Sequence, residues 1–150
     1  MLSAKDIANY FLSKSYAEPG ESISNLKIQK LVYYAQGFYL ALYGKPLFDD
    51  NIEAWIHGPV VPELYYQYKK FGSCAIPIIE NMDLEKYPKE VIDLLDEIYN
   101  VYGQFSAWKL RELTHSESPW INTPKIKGSV ISHEELKKYF ITQIENETEN

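Results

Sequence analysis

The chain has 150 residues, 45% of them hydrophobic and 24% charged, with a formal net charge of −6 and a pI near 5.1. That length fits one domain whose core needs no disulfide or metal to hold it. The acidic balance disfavours a broad phosphate-binding face, and no run approaches the length of a membrane span. The first twenty residues carry Lys5, Asp6, Lys14 and Glu18 where a secretory signal would be apolar. Cys74 is the single cysteine, so no internal disulfide forms, and a cytoplasmic protein is expected. Thirteen tyrosines are many for this length, and tyrosine serves both core edges and contact surfaces.

Ser3 is placed to cap a first helix, with Asp6 three residues on. Ala4, Ile7, Ala8, Phe11 and Leu12 recur at helical spacing, and the helix is expected to end near Lys14. A loop with Pro19 and Gly20 follows. The second helix is expected over about 24–43. Ile28, Leu31, Val32, Ala35, Phe38, Tyr39 and Leu42 form one wide stripe, and Leu26, Tyr33 and Leu40 a second on the far side. A helix apolar on all sides is buried between layers. Gly37 in its middle points to close approach of another backbone, since glycine there costs about 1 kcal/mol against alanine. Gly44 and Pro46 stop it.

Ile52–Ile56 reads as a strand, His57-Gly58-Pro59 as a corner, and Pro62 as the first residue of a short third helix ended by Gly72. Residues 76–79 fit a second strand, demoted to an edge by Pro77. Pro88 opens a fourth helix with Val91, Leu94, Leu95, Ile98 and Tyr102 on one face. Ser106 caps a fifth helix that ends about His115, and Ser132 with Glu135 makes a capping box for a sixth. A frayed tail is expected after Glu145. The sum is a mainly α single domain over 1–150: about six helices around a buried central one (about 24–43), with a short strand or two-stranded ribbon near 52–56 and 76–79.

Reaction chemistry is hard to find. His57, His115, His133 and Cys74 show no metal-ligand spacing, and no cofactor is expected. No nucleophile elbow and no glycine-rich phosphate loop is present. The pairs Asp49-Asp50 and Glu134-Glu135 suit a turn and a helix first turn. Lys27 and Lys30 share one side of the second helix, where their stems are expected to snorkel out of a buried element, the other reading being a small anionic contact. Trp55 beside Gly58-Pro59-Val60, and Trp120 after Thr114, His115 and Pro119, fit either core plugs or contact residues, since interfaces favour tryptophan and tyrosine.

Three stretches carry a resemblance: Lys27, Gln29, Lys30, Leu31, Tyr33, Ala35 and Gln36 in the second helix; Ala54, Trp55, Gly58, Pro59 and Val60 at the corner; Leu113, Thr114, His115, Pro119 and Trp120 near the end. In this order they resemble the Panacea domain, a family of phage-associated and toxin–antitoxin proteins related to the socA-type antitoxin. The resemblance spans about residues 3–142. It implies a protein that binds and neutralises a toxin encoded beside it, with at least one relative acting as an adaptor to a housekeeping protease. It supplies no catalytic residues. Fusion to a DNA-binding module, known in some relatives, does not fit this length.

A binding module is therefore the leading reading, with Lys27, Lys30, Tyr33, Trp55, His57, Tyr65, Tyr66, His115 and Trp120 as candidate partner contacts. Gly37, Gly58, Pro59, Val60, Thr114 and Pro119 are the structural positions of the motifs. The alternative is a small-ligand domain or enzyme in which His57 and His115 line a pocket with Lys30 and Tyr33. A nucleic-acid role would rest on Lys69-Lys70 and Lys125–Lys127 alone, too few cations for tight binding.

Overall fold

Serines start four of the helices where the sequence places them. In the computed structural model, which describes residues 1–17, 22–78 and 82–148, the Ser3 hydroxyl accepts from the Asp6 amide at 3.1 Å and Asp6 accepts from the Ser3 amide at 2.9 Å. Ser24, Ser106 and Ser132 accept from the amides of Lys27, Lys109 and Glu135 at 3.3, 3.1 and 3.1 Å. Each bond satisfies one of the amides that a helix start leaves without a partner.

The elements run α1 (Ala4–Ala17), α2 (Asn25–Tyr43), β1 (Glu53–Trp55), β2 (Gly58–Val60), α3 (Pro62–Tyr68), α4 (Lys89–Tyr102), α5 (Ala107–His115), α6 (Ser118–Ile121) and α7 (His133–Thr148). The mainly α single domain expected from the sequence is what the chain forms. α1 extends three residues past Lys14, and α7 continues beyond the Glu145 boundary expected from the sequence. The short α6 over Ser118–Ile121, with its proline in the first turn, stands where the sequence suggests only a loop.

The ribbon differs from expectation in its second strand. β2 follows β1 directly, antiparallel, with Ala54 opposite Pro59 and Trp55 opposite Gly58. The Ala54 amide points away from β2 and donates to Ser129 at 3.1 Å, so Pro59 loses nothing by lacking a donor. Residues 76–78 form no strand; the Ile76 amide donates to the Ile23 carbonyl at 2.9 Å, and Ile79 lies outside the described residues.

α2 is the axis of the molecule. α1, α3, α4, α5, β2 and α7 all pack on it, α7 most extensively. From Lys27 to Leu40 every residue is buried, whereas Leu42, assigned to the apolar stripe from its spacing, is exposed beyond the last neighbour. Phe140 of α7 inserts its ring among Tyr33, Tyr34, Phe38 and Tyr139, with centroids 4.8–6.0 Å away. The ring lies against Gly37, where there is no room for a Cβ.

The polar residues of α2 are inward too. Gln36 donates to the Phe48 carbonyl at 2.7 Å and accepts from the Leu47 amide at 2.7 Å. Gln29 accepts from the Val61 amide at 2.8 Å and donates to Asn25 at 2.9 Å. These amides pin the two ends of the segment that carries the ribbon, because buried backbone groups require partners.

Candidate partner-binding groove

The β1–β2 turn is held from beneath by α2 and α5. Gly58 has φ +114°, a conformation side chains rarely adopt. A Cβ there would also sit 2.7 Å from Lys30 Cε and 2.8 Å from Thr114 Oγ1. Thr114 is buried and donates to the Arg111 carbonyl at 2.9 Å. Trp120 Nε1 donates to the Trp55 carbonyl at 2.7 Å, which ties α6 to the ribbon. His115 stacks on the Trp120 indole at 4.0 Å with 5° between planes. Pro119 is buried, and its carbonyl accepts from the Thr123 hydroxyl at 2.8 Å. The residues of the late motif thus form a brace for the corner.

Above this brace lies a groove of about 900 Å³. Trp55, Tyr65 and Tyr66 form its aromatic wall, with Trp55 and Tyr65 centroids 4.9 Å apart and Tyr65 and Tyr66 5.4 Å apart. Leu26, Ile56, Val60 and Ile126 add aliphatic surface. Ile56, Tyr66 and Ile126 are 72, 57 and 70% exposed, so the apolar surface continues out onto the rim. Exposed apolar surface gathered in one place marks an interaction site more often than scattered residues do. Trp55 and Trp120 are both half-buried; Trp55 lines the groove, whereas Trp120 packs against the core.

Lys30 lines the groove from its floor with no surface exposure, and Lys27 is buried as well. Neither snorkels. Lys27 Nζ donates to the Gly103 carbonyl at 2.6 Å and Lys30 Nζ to the Pro59 carbonyl at 3.2 Å. Burial, reinforced by the Arg111 guanidinium, brings the Lys30 ammonium down to about 7. His57 is exposed on the groove and accepts from Arg111 Nε at 3.1 Å. His115 is held below its ordinary value by burial and by the Arg111 charge, with Lys30 and His57 adding to this.

Tyr33 lies in the core and does not reach the groove. Its hydroxyl and that of Tyr34 donate to the two oxygens of Glu117 at 2.9 and 2.8 Å, and Tyr139 bonds the same carboxyl. Burial pushes Glu117 up to about 7, against the pull of these phenols. Glu117 is the residue that sequence reasoning passed over; a carboxylate directly ahead of the Ser118-Pro119 helix start was the available signal. Of the four groups proposed for an enzyme pocket, Lys30 and His57 meet at the groove, Tyr33 is sealed below it and His115 is committed to the Trp120 stack. The two basic spots converge instead: Lys69, Lys125 and Lys127 all line this groove.

Lys30 and Glu117 give stability opposite slopes with pH. Between 4.5 and about 7 the folded Glu117 holds a proton that the unfolded chain has released, so stability falls as pH rises. Between about 7 and 10.5 the unfolded Lys30 holds a proton that the folded chain has lost, so stability rises. Each slope approaches ~1.4 kcal/mol per pH unit. Urea unfolding near pH 5, 7 and 9 is therefore expected to show a dip near neutrality. Glu117→Gln should flatten the acid limb and Lys30→Met the alkaline limb; limbs unaltered in both variants would contradict the assignment.

Among the described residues no helix is long and apolar enough to cross a membrane. The sequence profile of the antitoxin SocA-like, Panacea-domain family matches residues 28–121, which takes in α2 from Ile28 on, the ribbon, α5 and α6. A protein named Antitoxin SocA, from Caulobacter vibrioides (strain NA1000 / CB15N), is 33% identical over 130 residues, covering 79% of this chain and 69% of that protein. No solved structure matches the chain.

Proposed function

This chain belongs to the antitoxin SocA-like, Panacea-domain family, and from that premise we propose that it neutralises a toxin encoded beside its own gene by holding it against the Trp55–Tyr65–Tyr66 groove. The observation that carries the reading is the rigid aromatic wall. Its rings pack on one another, continue into exposed Ile56 and Ile126, and are braced by Trp120 from behind. Aromatic anchors on a fixed frame supply most of an interface's affinity at low ordering cost. The reading is binding rather than catalysis: of the four candidate acid–base groups only Lys30 and His57 reach the groove, and Tyr33 is sealed below it.

The test is co-expression. The neighbouring gene should arrest growth when expressed alone, and this chain should restore growth. Measuring the toxin's half-life in the same cells separates plain sequestration, in which it is unchanged, from delivery to a housekeeping protease, in which it shortens. A harmless neighbour, or toxicity untouched by co-expression, contradicts the proposal.

A further inference from the structure

The groove has a charge sign that the molecule as a whole does not. The chain carries a formal −6, yet the groove is lined by Lys30, Lys69, Lys125, Lys127 and His57 and, among the described residues, by no aspartate or glutamate. Glu53, whose carboxylate accepts from Trp55 Nε1 at 2.9 Å, stands beside the wall and is not part of the lining. The lysines come from three separate segments, α2, the turn after α3 and the stretch after α6, and His57 from the β1–β2 turn. Lys125 is occupied with the carbonyls of Trp120, Ile121 and Thr123. Lys69 and Lys127 are exposed, and Lys30, with three donors, has one hydrogen bond among the described residues.

We propose that this groove recognises an acidic segment of the partner protein, in which two or more aspartate or glutamate side chains flank an aliphatic or aromatic anchor. The anchor packs against Trp55, Tyr66 and Ile126 while the carboxylates meet Lys69 and Lys127 at the rim. The inference rests on the reading of this groove as the partner-binding surface. Two features favour a protein segment. The apolar surface spills past the cavity onto an exposed rim, more than a small anion covers. The free cations are too few, and too far outweighed by the chain's acidic balance, for a nucleic-acid track. β1 already pairs with β2 on one side and reaches Ser129 and Val130 on the other. Recognition therefore runs through side chains rather than strand addition.

Fluorescence polarisation with the full chain tests this. The probe is a labelled peptide with one tryptophan flanked on each side by two glutamates, compared with its glutamine counterpart. The glutamate peptide should bind at least about tenfold tighter, and the preference should shrink as salt is raised. Lys69→Glu with Lys127→Glu should weaken it by about tenfold or more, and Lys138→Glu, an exposed change on α7, should leave it alone. Equal binding of the two peptides, binding of neither, or an equal loss in Lys138→Glu would overturn the proposal. So would stronger competition from inorganic phosphate or a short single-stranded DNA than from unlabelled glutamate peptide. The two readings fail separately: a harmless neighbouring gene with intact peptide selectivity sinks the toxin assignment alone. Undiminished toxin neutralisation by the Lys69→Glu/Lys127→Glu chain sinks the acidic-segment inference alone.

Discussion

Replacing Gly37 with alanine is expected to destabilise the protein by about 1–3 kcal/mol, the usual cost of overpacking a filled core. Helix propensity alone predicts the opposite sign, a gain of about 1 kcal/mol. The reversal follows from Phe140. Its Cζ lies 2.7 Å from the position a Cβ on Gly37 would occupy, and two other ring atoms are nearer still. The ring has no retreat, because it is fully buried with Tyr33, Tyr34, Phe38 and Tyr139 around it. Urea midpoints measure the effect. Phe140→Leu combined with Gly37→Ala should recover part of the loss, since contacting residues couple. A stabilised Gly37→Ala would mean that α2 and α7 do not approach as described.

Truncating the aromatic wall is expected to abolish neutralisation while leaving the fold intact. Trp55→Ala with Tyr66→Ala should weaken toxin binding by at least about 2 kcal/mol, or roughly thirtyfold, the range of interface hot spots. The two side chains are half-buried and exposed respectively, so little core is lost. Trp120 is different: its indole holds the Trp55 carbonyl and stacks on His115, so its removal disturbs the brace as well as the groove. Leu42→Ser is the matching control, an exposed apolar residue at the far end of α2. In cells the double variant should leave the toxin active, and the control should protect fully.

The helices were legible because their signals are local. Serine caps, helical spacing and the Gly44 stop placed α1, α2, α4, α5 and α7. The central burial of α2 followed from apolar residues on every side. What spacing could not convey is that the polar residues of that helix face inward as well. Lys27, Gln29, Lys30 and Gln36 are buried because each meets a backbone partner from a distant segment, and sequence distance conceals such partners. The ribbon forms, but its second strand lies at Gly58–Val60 rather than at 76–79. Pro59, which reads as part of a corner, fits a strand because the Ala54 amide opposite it points toward Ser129.

The site was legible in parts. Trp55, His57, Tyr65 and Tyr66 lie along 12 residues of chain and reach one groove together. Lys69, Lys125 and Lys127 looked like stray charges, since only the fold of the segment after α6 brings them to the same wall. Tyr33 reads as a contact because tyrosine often is; the Glu117 cluster claims it instead, and His115 stacks on Trp120 beside the groove.

Isothermal titration of the purified neighbouring gene product with this chain and its variants decides whether the groove holds the partner. A groove-borne interface predicts saturable binding by the wild type, a dissociation constant at least about thirtyfold weaker for Trp55→Ala/Tyr66→Ala, and no change for Leu42→Ser. Wild-type affinity in the double variant, or a loss confined to Leu42→Ser, would place the partner on another face and contradict the account.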